Sequence, residues 1–217
     1  MSKAAASERQ VRAVETRKRI MRAALREFSR KGFGGTSIRG IARQAKVPDA
    51  LIHYHFGGKD ALWRVIATEL YDRMHADNDA AVSAAEPMSK FDEVRVRARA
   101  LMQHDVSHLE FVAFNSEEQY PSDRQAFLFD KFFGPRFHSA LAGIAEAQER
   151  DELPDGDPRL LYLIIVTLAS ALVQRGGLIE HIMQRPISDP TLQQEYWALV
   201  EKLLFRRHGR GDGDAQI

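Results

Sequence analysis

Residues 49–63 read DALIHYHFGGKDALW. Two histidines flank Tyr54, and Gly57-Gly58 separate that run from Lys59 and the next apolar segment. On a strand, His53 and His55 would share a side and could grip one ligand. On a helix they lie ~200° apart, because successive residues turn by about 100°. The flanking residues point to a helix. Pro48 suits a first turn, Ile52 and Phe56 recur four apart, and the glycine pair stops the run.

Upstream, Ile20, Ala24 and Phe28 also recur four apart, which predicts a helix over 15–31 with Gly32 as its C-cap. Ser37 can cap a short helix whose apolar face is Ile38, Ile41, Ala42 and Ala45. Gly40 stands where an acid would complete a capping box. Lys46-Val47 makes the tight connection to the helix that opened this reading. Downstream, Lys59 starts a long helix to about residue 84, with Leu62, Ile66, Leu70 and Met74 along one side. Further helices are expected over 89–104, 107–119, 121–150 (bent at Gly134-Pro135), 158–175 and 189–207, with a clear break at LPDGDP, 153–158. No segment alternates as a strand would, so the fold class is all-α.

Charge divides the chain. Fourteen of the 31 Lys/Arg but only five of the 30 Asp/Glu fall in residues 1–60, leaving +9 there and −8 over the rest. A basic head on an acidic body suggests that the head meets a polyanion. The sequence has no cysteine, which excludes disulfides and thiolate metal sites and fits a cytoplasmic location. MSKAAASERQ lacks the apolar core of a signal peptide, and the uncharged stretch 160–173 is too short to span a bilayer. Four parts are expected: a flexible basic arm (1–14), a basic three-helix domain (15–60), a larger helical domain (61–208), and a disordered tail (209–217).

Within the head, the second and third helices have the spacing of a helix-turn-helix. Ile52 and Phe56 would hold the third helix down, leaving Asp49, Ala50, Leu51, His53, Tyr54 and His55 towards the major groove. The run TRKRIMRAALREFSRKGFGGTSIRGIARQAKVPDALIHYHFGGKDAL, Thr16–Leu62, resembles the N-terminal domain of the tetracycline-repressor (TetR) family, without gaps. The resemblance rests on Ala-Ala-x-x-x-Phe in helix one, Gly-Phe before the threonine, Ile-Ala in helix two, and an aromatic-rich helix ending His-Phe-x-x-Lys.

That resemblance implies a homodimeric transcriptional regulator, mostly a repressor, released from a palindromic DNA operator by a small molecule. It implies that Arg39 reaches a base or phosphate, and that Asp49, Ala50 and Leu51 face bases. His53 and Tyr54 fall at backbone- and base-contacting positions, Lys59 at a phosphate-contacting lysine, and Thr36 and Ser37 where a helix N-terminus meets a phosphate. The chain departs from the family at Lys46 (usually glycine), His53 (usually tyrosine) and Leu51 (usually a small hydroxyl residue). Lys46 is therefore expected to take a left-handed backbone at some cost in strain.

In the body, His104, His108, Phe111, Phe114, Asn115, Tyr120 and Phe127 offer an aromatic lining with a few polar groups, as small-molecule sites do; core packing is the alternative for each. An i, i+4 histidine pair also suits a metal, but no third ligand stands in register in the sequence, so no metal or other cofactor is expected. Helix 158–175 is apolar on every side and needs cover all round. Ile164, Leu168 and Leu172, with Tyr196, Val200 and Leu203 of the last helix, are expected to supply a dimer interface. The other function class is a small all-α enzyme or histidine-based metal protein. No nucleophile elbow, phosphate loop or metalloprotease motif supports enzymatic activity.

Overall fold

The structure is a computed structural model that describes residues 3–86, 88–116 and 121–205. Its helices are α1 (Lys3–Gly35), α2 (Ile38–Ala45), α3 (Asp49–Phe56), α4 (Lys59–Ser83), α5 (Lys90–Ser107), α6 (Leu109–Asn115), α7 (Asp123–Leu128), α8 (Gly134–Glu149), α9 (Pro158–Gln174), α10 (Gly176–Met183) and α11 (Pro190–Leu204), with a π-helical turn at Phe129–Phe133. The described residues contain no strand, and the fold is all-α. The expected disordered tail, 209–217, lies outside them.

The chain divides into two compact units. One comprises residues 1–73 and 109–129, the other 74–108 and 130–217. This partition is not the functional one expected at residue 60, because α6 and α7 fold with the head.

In the first unit, α1 begins at Lys3 rather than near residue 15, so the arm expected to be flexible continues the helix. Ala-rich sequence without Gly or Pro permits this, and Glu8 pairs with Arg12 one turn on. Gly32 breaks the helix at φ 64°, as its place after the apolar run predicts. Ile20, Ala24, Phe28, Ile41, Ile52, Leu62 and Trp63 are buried. Aromatic packing ties α6 into that core: Phe114 stacks on Trp63 (ring centroids 5.1 Å apart) and meets Phe28 edge-on.

In the second unit, Phe91, Val94, Met102, Ile144, Leu161, Ile165, Leu172, Trp197 and Val200 belong to one buried cluster. Helices α5 and α8 cross closely at Gly143, where a Cβ would lie 2.8 Å from the Lys90 backbone, so only glycine fits. The helix expected over 121–150 is three pieces. Pro135 has no N–H to give to the preceding turn, and the chain accommodates this with the wider π turn ahead of it. The helix expected over 107–119 also fails at its start, because His108 leaves helical geometry at φ −133°, ψ 63°. No Gly or Pro marks that break. Among the described residues, no single helix is long and apolar enough to cross a membrane.

Candidate nucleic-acid interface and regulatory site

The head presents α3 by clamping one side of it. Ile52 is fully buried and Phe56 nearly so, with the Arg17 guanidinium 5.1 Å from the centre of the Phe56 ring. Gly57 caps the helix in the left-handed region, φ 85°, its N–H donating to the His53 carbonyl. The opposite side is open: Ala50, His53 and Tyr54 are exposed, Tyr54 at 81 %, while Leu51, His55 and Asp49 are half-buried. Asp49 lies 3.7 Å from exposed Arg39 of α2, a contact between the two helices of the motif. At this exposure the pair adds little stability.

The connection runs as the sequence implies. Lys46 adopts φ 54°, ψ 49°, its N–H shared between the Ala42 and Arg43 carbonyls. Ser37 caps α2, its Oγ accepting from the Gly40 N–H at 3.1 Å.

Two residues proposed for phosphate are otherwise engaged. Thr36 is buried and its hydroxyl donates to the Gly32 carbonyl at 2.7 Å, so it braces the α1 break and does not offer its hydroxyl outward. Lys59 Nζ donates to the carbonyls of Phe33 and Thr36, each at 2.9 Å, and sits 4.2 Å from the Phe33 ring centre. An ammonium has three donors. Lys59 therefore ties the end of α1 and Thr36 to the start of α4 before it can contact anything else.

Residues 20–66, the segment that builds this motif, match the family described as bacterial regulatory proteins, tetR family. The head is thus of TetR type. Among curated TetR-type relatives, a probable HTH-type transcriptional regulator, YttP of Bacillus subtilis, is 30% identical over 101 residues, 46% of this chain and 49% of that protein. The HTH-type transcriptional repressor NicS of Pseudomonas putida is 31% identical over 104 residues, 48% of each chain. These two matches thus span about half the length of the relatives. Among solved structures, a tetR-family protein from Shewanella superposes with a TM-score of 0.67 at 18% identity, covering 88% of this chain and 99% of the other. AibR, solved with isovaleryl coenzyme A and operator DNA, gives 0.69 at 14%, covering 88% and 98%. The fold is therefore of TetR type along most of the chain, and the family match itself lies in the head.

The residues expected to line a ligand site separate. Phe111, Phe114, Asn115 and Phe127 belong to the first unit, His104 and His108 to the second, and Tyr120 lies outside the described residues. Phe111 and Phe114 are buried core: Phe111 packs edge-on against Tyr71, whose hydroxyl donates to Asn115 Oδ1 at 3.0 Å. Phe127 sets its ring near Trp63 and under the Arg64 guanidinium.

His104 and His108 meet a residue the sequence did not single out. Asp77, on α4, places Oδ2 2.7 Å from His104 Nδ1 and 4.0 Å from His108 Nε2, and the imidazole centroids are 4.4 Å apart. Nothing local marks Asp77, which stands 27 positions before His104. Asp105, next along α5, is buried against Ser170 of α9; desolvation outweighs that hydrogen bond and raises its carboxyl to about 7.

The residues expected at a dimer interface also divide. Leu172 and Val200 are buried within their own chain, at 1% and 3% exposure, so they cannot reach a partner. Leu168 and Tyr196 are half-buried and bound together, the Tyr196 hydroxyl donating to the Leu168 carbonyl. Ile164 and Leu203 are exposed, and Leu160, Leu163 and Leu199 join them on the open sides of α9 and α11. Periodicity could not separate the two sides of α9, because its apolar residues go all round.

Proposed function

We propose that this chain is a DNA-binding transcriptional regulator, most simply a cytoplasmic repressor, that holds a palindromic operator as a homodimer and is released by a small molecule. The observation that carries the reading is the exposed face of α3, held from behind by Ile52 and Phe56, in a basic head of TetR type. In this reading Ala50, Leu51, Tyr54 and His53 face the groove. Arg39 and the N-terminal amides of α2 beside Ser37 meet phosphate. Asp49 accepts from a cytosine amino group or steers Arg39. Lys59 has one donor left for phosphate, and Thr36 supports from within.

The dimer rests on apolar surface that one chain leaves open. Leu160, Leu163 and Ile164 on α9, with Leu199 and Leu203 on α11, would join across a two-fold axis as a four-helix seam. Two recognition helices then read half-sites about one helical turn, or a multiple of it, apart. A small molecule bound in the body would release DNA by favouring the conformation that fits the operator poorly. NicS, by name a repressor, and AibR, solved with both an acyl-CoA and operator DNA, support this class of function without naming the effector here.

The test is selection of bound duplexes from random sequence with the full-length chain. An enriched palindrome, lost with Tyr54→Ala while the fold and dimer persist, is the expected result. Enrichment of no sequence would overturn the proposal.

A further inference from the structure

We propose that Asp77, His104 and His108 form a binding site for a divalent cation of the zinc, nickel and cobalt class. The site goes beyond the operator-binding role and does not depend on it. All three residues belong to the second compact unit: Asp77 near the end of α4, His104 on the last turn of α5, and His108 just past it.

The donor atoms converge. One ring nitrogen from each histidine and one carboxylate oxygen lie within 4.8 Å of one another. A tetrahedral zinc centre with bonds of about 2.1 Å separates its ligand atoms by roughly 3.4 Å. That value falls between the two separations seen here, 2.7 Å from Asp77 to His104 and 4.0 Å from Asp77 to His108. Small side-chain adjustments of opposite sign would bring both to it.

The aspartate–histidine hydrogen bond links Asp77 to His104. It accounts for His104 Nδ1, whereas 4.0 Å is too long for a hydrogen bond from His108 Nε2 to the same oxygen. The chain leaves the helix at His108, and that ring still lies 4.4 Å from His104 with Nε2 towards the carboxylate. A shared cation would sit where the three donor atoms converge.

The chemistry of the set selects the ion. Two imidazoles and one carboxylate suit borderline cations, and disfavour magnesium and calcium, which seek oxygen. The His104 side chain is buried, at 1% exposure, and gives the site a fixed wall. The Asp77 side chain is half exposed and His108 is 28% exposed, which gives an ion a way in from solvent and leaves a fourth position for water.

The test uses the untagged full-length chain, stripped with chelator and titrated with Co2+ and Zn2+ by calorimetry, visible absorption and thermal unfolding. One ion per chain is expected, with a Co2+ d–d spectrum, a zinc-dependent rise in Tm, and affinity that falls as the solution is made more acid, because protons compete with the metal for its ligands. Asp77→Asn and His108→Ala should each weaken binding at least tenfold and abolish the zinc-dependent rise in Tm. Both alter side chains that reach solvent, and circular dichroism checks that each variant folds. His181→Ala, on exposed α10, should change nothing. Absence of a zinc-dependent rise in Tm in the unmodified chain would overturn the proposal. Binding that persists undiminished in folded Asp77→Asn and His108→Ala would overturn it too, since the ion would then sit elsewhere.

Discussion

Lys46 carries the only left-handed backbone between the two helices of the DNA-reading motif, and its replacement by glycine gives a sharp energetic test. At φ 54°, ψ 49° its Cβ crowds the carbonyl oxygen, at a cost of about 1–2 kcal/mol for a residue other than glycine. Glycine removes that cost but adds about 0.4–1 kcal/mol of unfolded-chain entropy. The side chain is exposed and forms no hydrogen bond or ion pair among the described residues, so little else changes. Lys46→Gly is therefore expected to stabilise the protein by about 1 kcal/mol, or roughly 2–4 °C in Tm at this chain length.

Lys46→Ala supplies the control, because it removes the same charge and keeps the Cβ. Urea unfolding of the three proteins at equal m-values measures the difference. The expected order places glycine above both alanine and lysine, with alanine within about 0.5 kcal/mol of lysine. Alanine as stable as glycine would refute the argument, since the left-handed residue would then carry no strain. The alanine–glycine comparison in DNA binding is equally clean, because both variants have lost the charge.

Three further outcomes are expected. Lys59→Met removes two charge-assisted hydrogen bonds to the Phe33 and Thr36 carbonyls and should destabilise the chain by about 2 kcal/mol in urea unfolding. Unchanged stability with weakened DNA binding would mean that Lys59 serves phosphate alone. Burial holds Asp105 protonated in the folded chain up to about pH 7, whereas unfolded it ionises near 3.8. Its contribution is thus full below pH 3.8 and is lost as pH rises through 7, a fall of at most about 4 kcal/mol. With chelator present, Asp105→Asn should shrink the stability difference between pH 5 and pH 8, and an equal difference in both proteins would count against a raised pKa. Leu203→Glu places a charge on the open side of α11 and should convert a dimer to monomers at micromolar concentration by light scattering. A variant that stays dimeric would move the interface elsewhere.

Much of the DNA-reading head was legible from the linear order of residues, and the reason is range. Ile52 and Phe56 hold α3 down because residues four apart share a helix face; Ser37 and Gly57 end helices through bonds to neighbours three or four positions away. The left-handed Lys46 followed from its place in a turn that the family closes with glycine. Such features need nothing beyond one turn of chain. The same order could not say that the Thr36 hydroxyl points inward, or that Lys59 spends two donors on carbonyls 26 and 23 positions earlier.

In the body, local pattern determined that helices form and tertiary packing decided what each one faces. Helix α9 is apolar all round, so periodicity could not divide Leu172, which is core, from Leu160 and Leu163, which are open. Phe111 and Phe114 look alike as pocket lining or as core until Trp63, Tyr71 and Phe28 are seen to close over them. His104 and His108 lacked a third partner because the sequence offers none in register. Asp77 comes to them only when α4 packs beside α5, and a contact made across 27 residues leaves no trace in helical spacing.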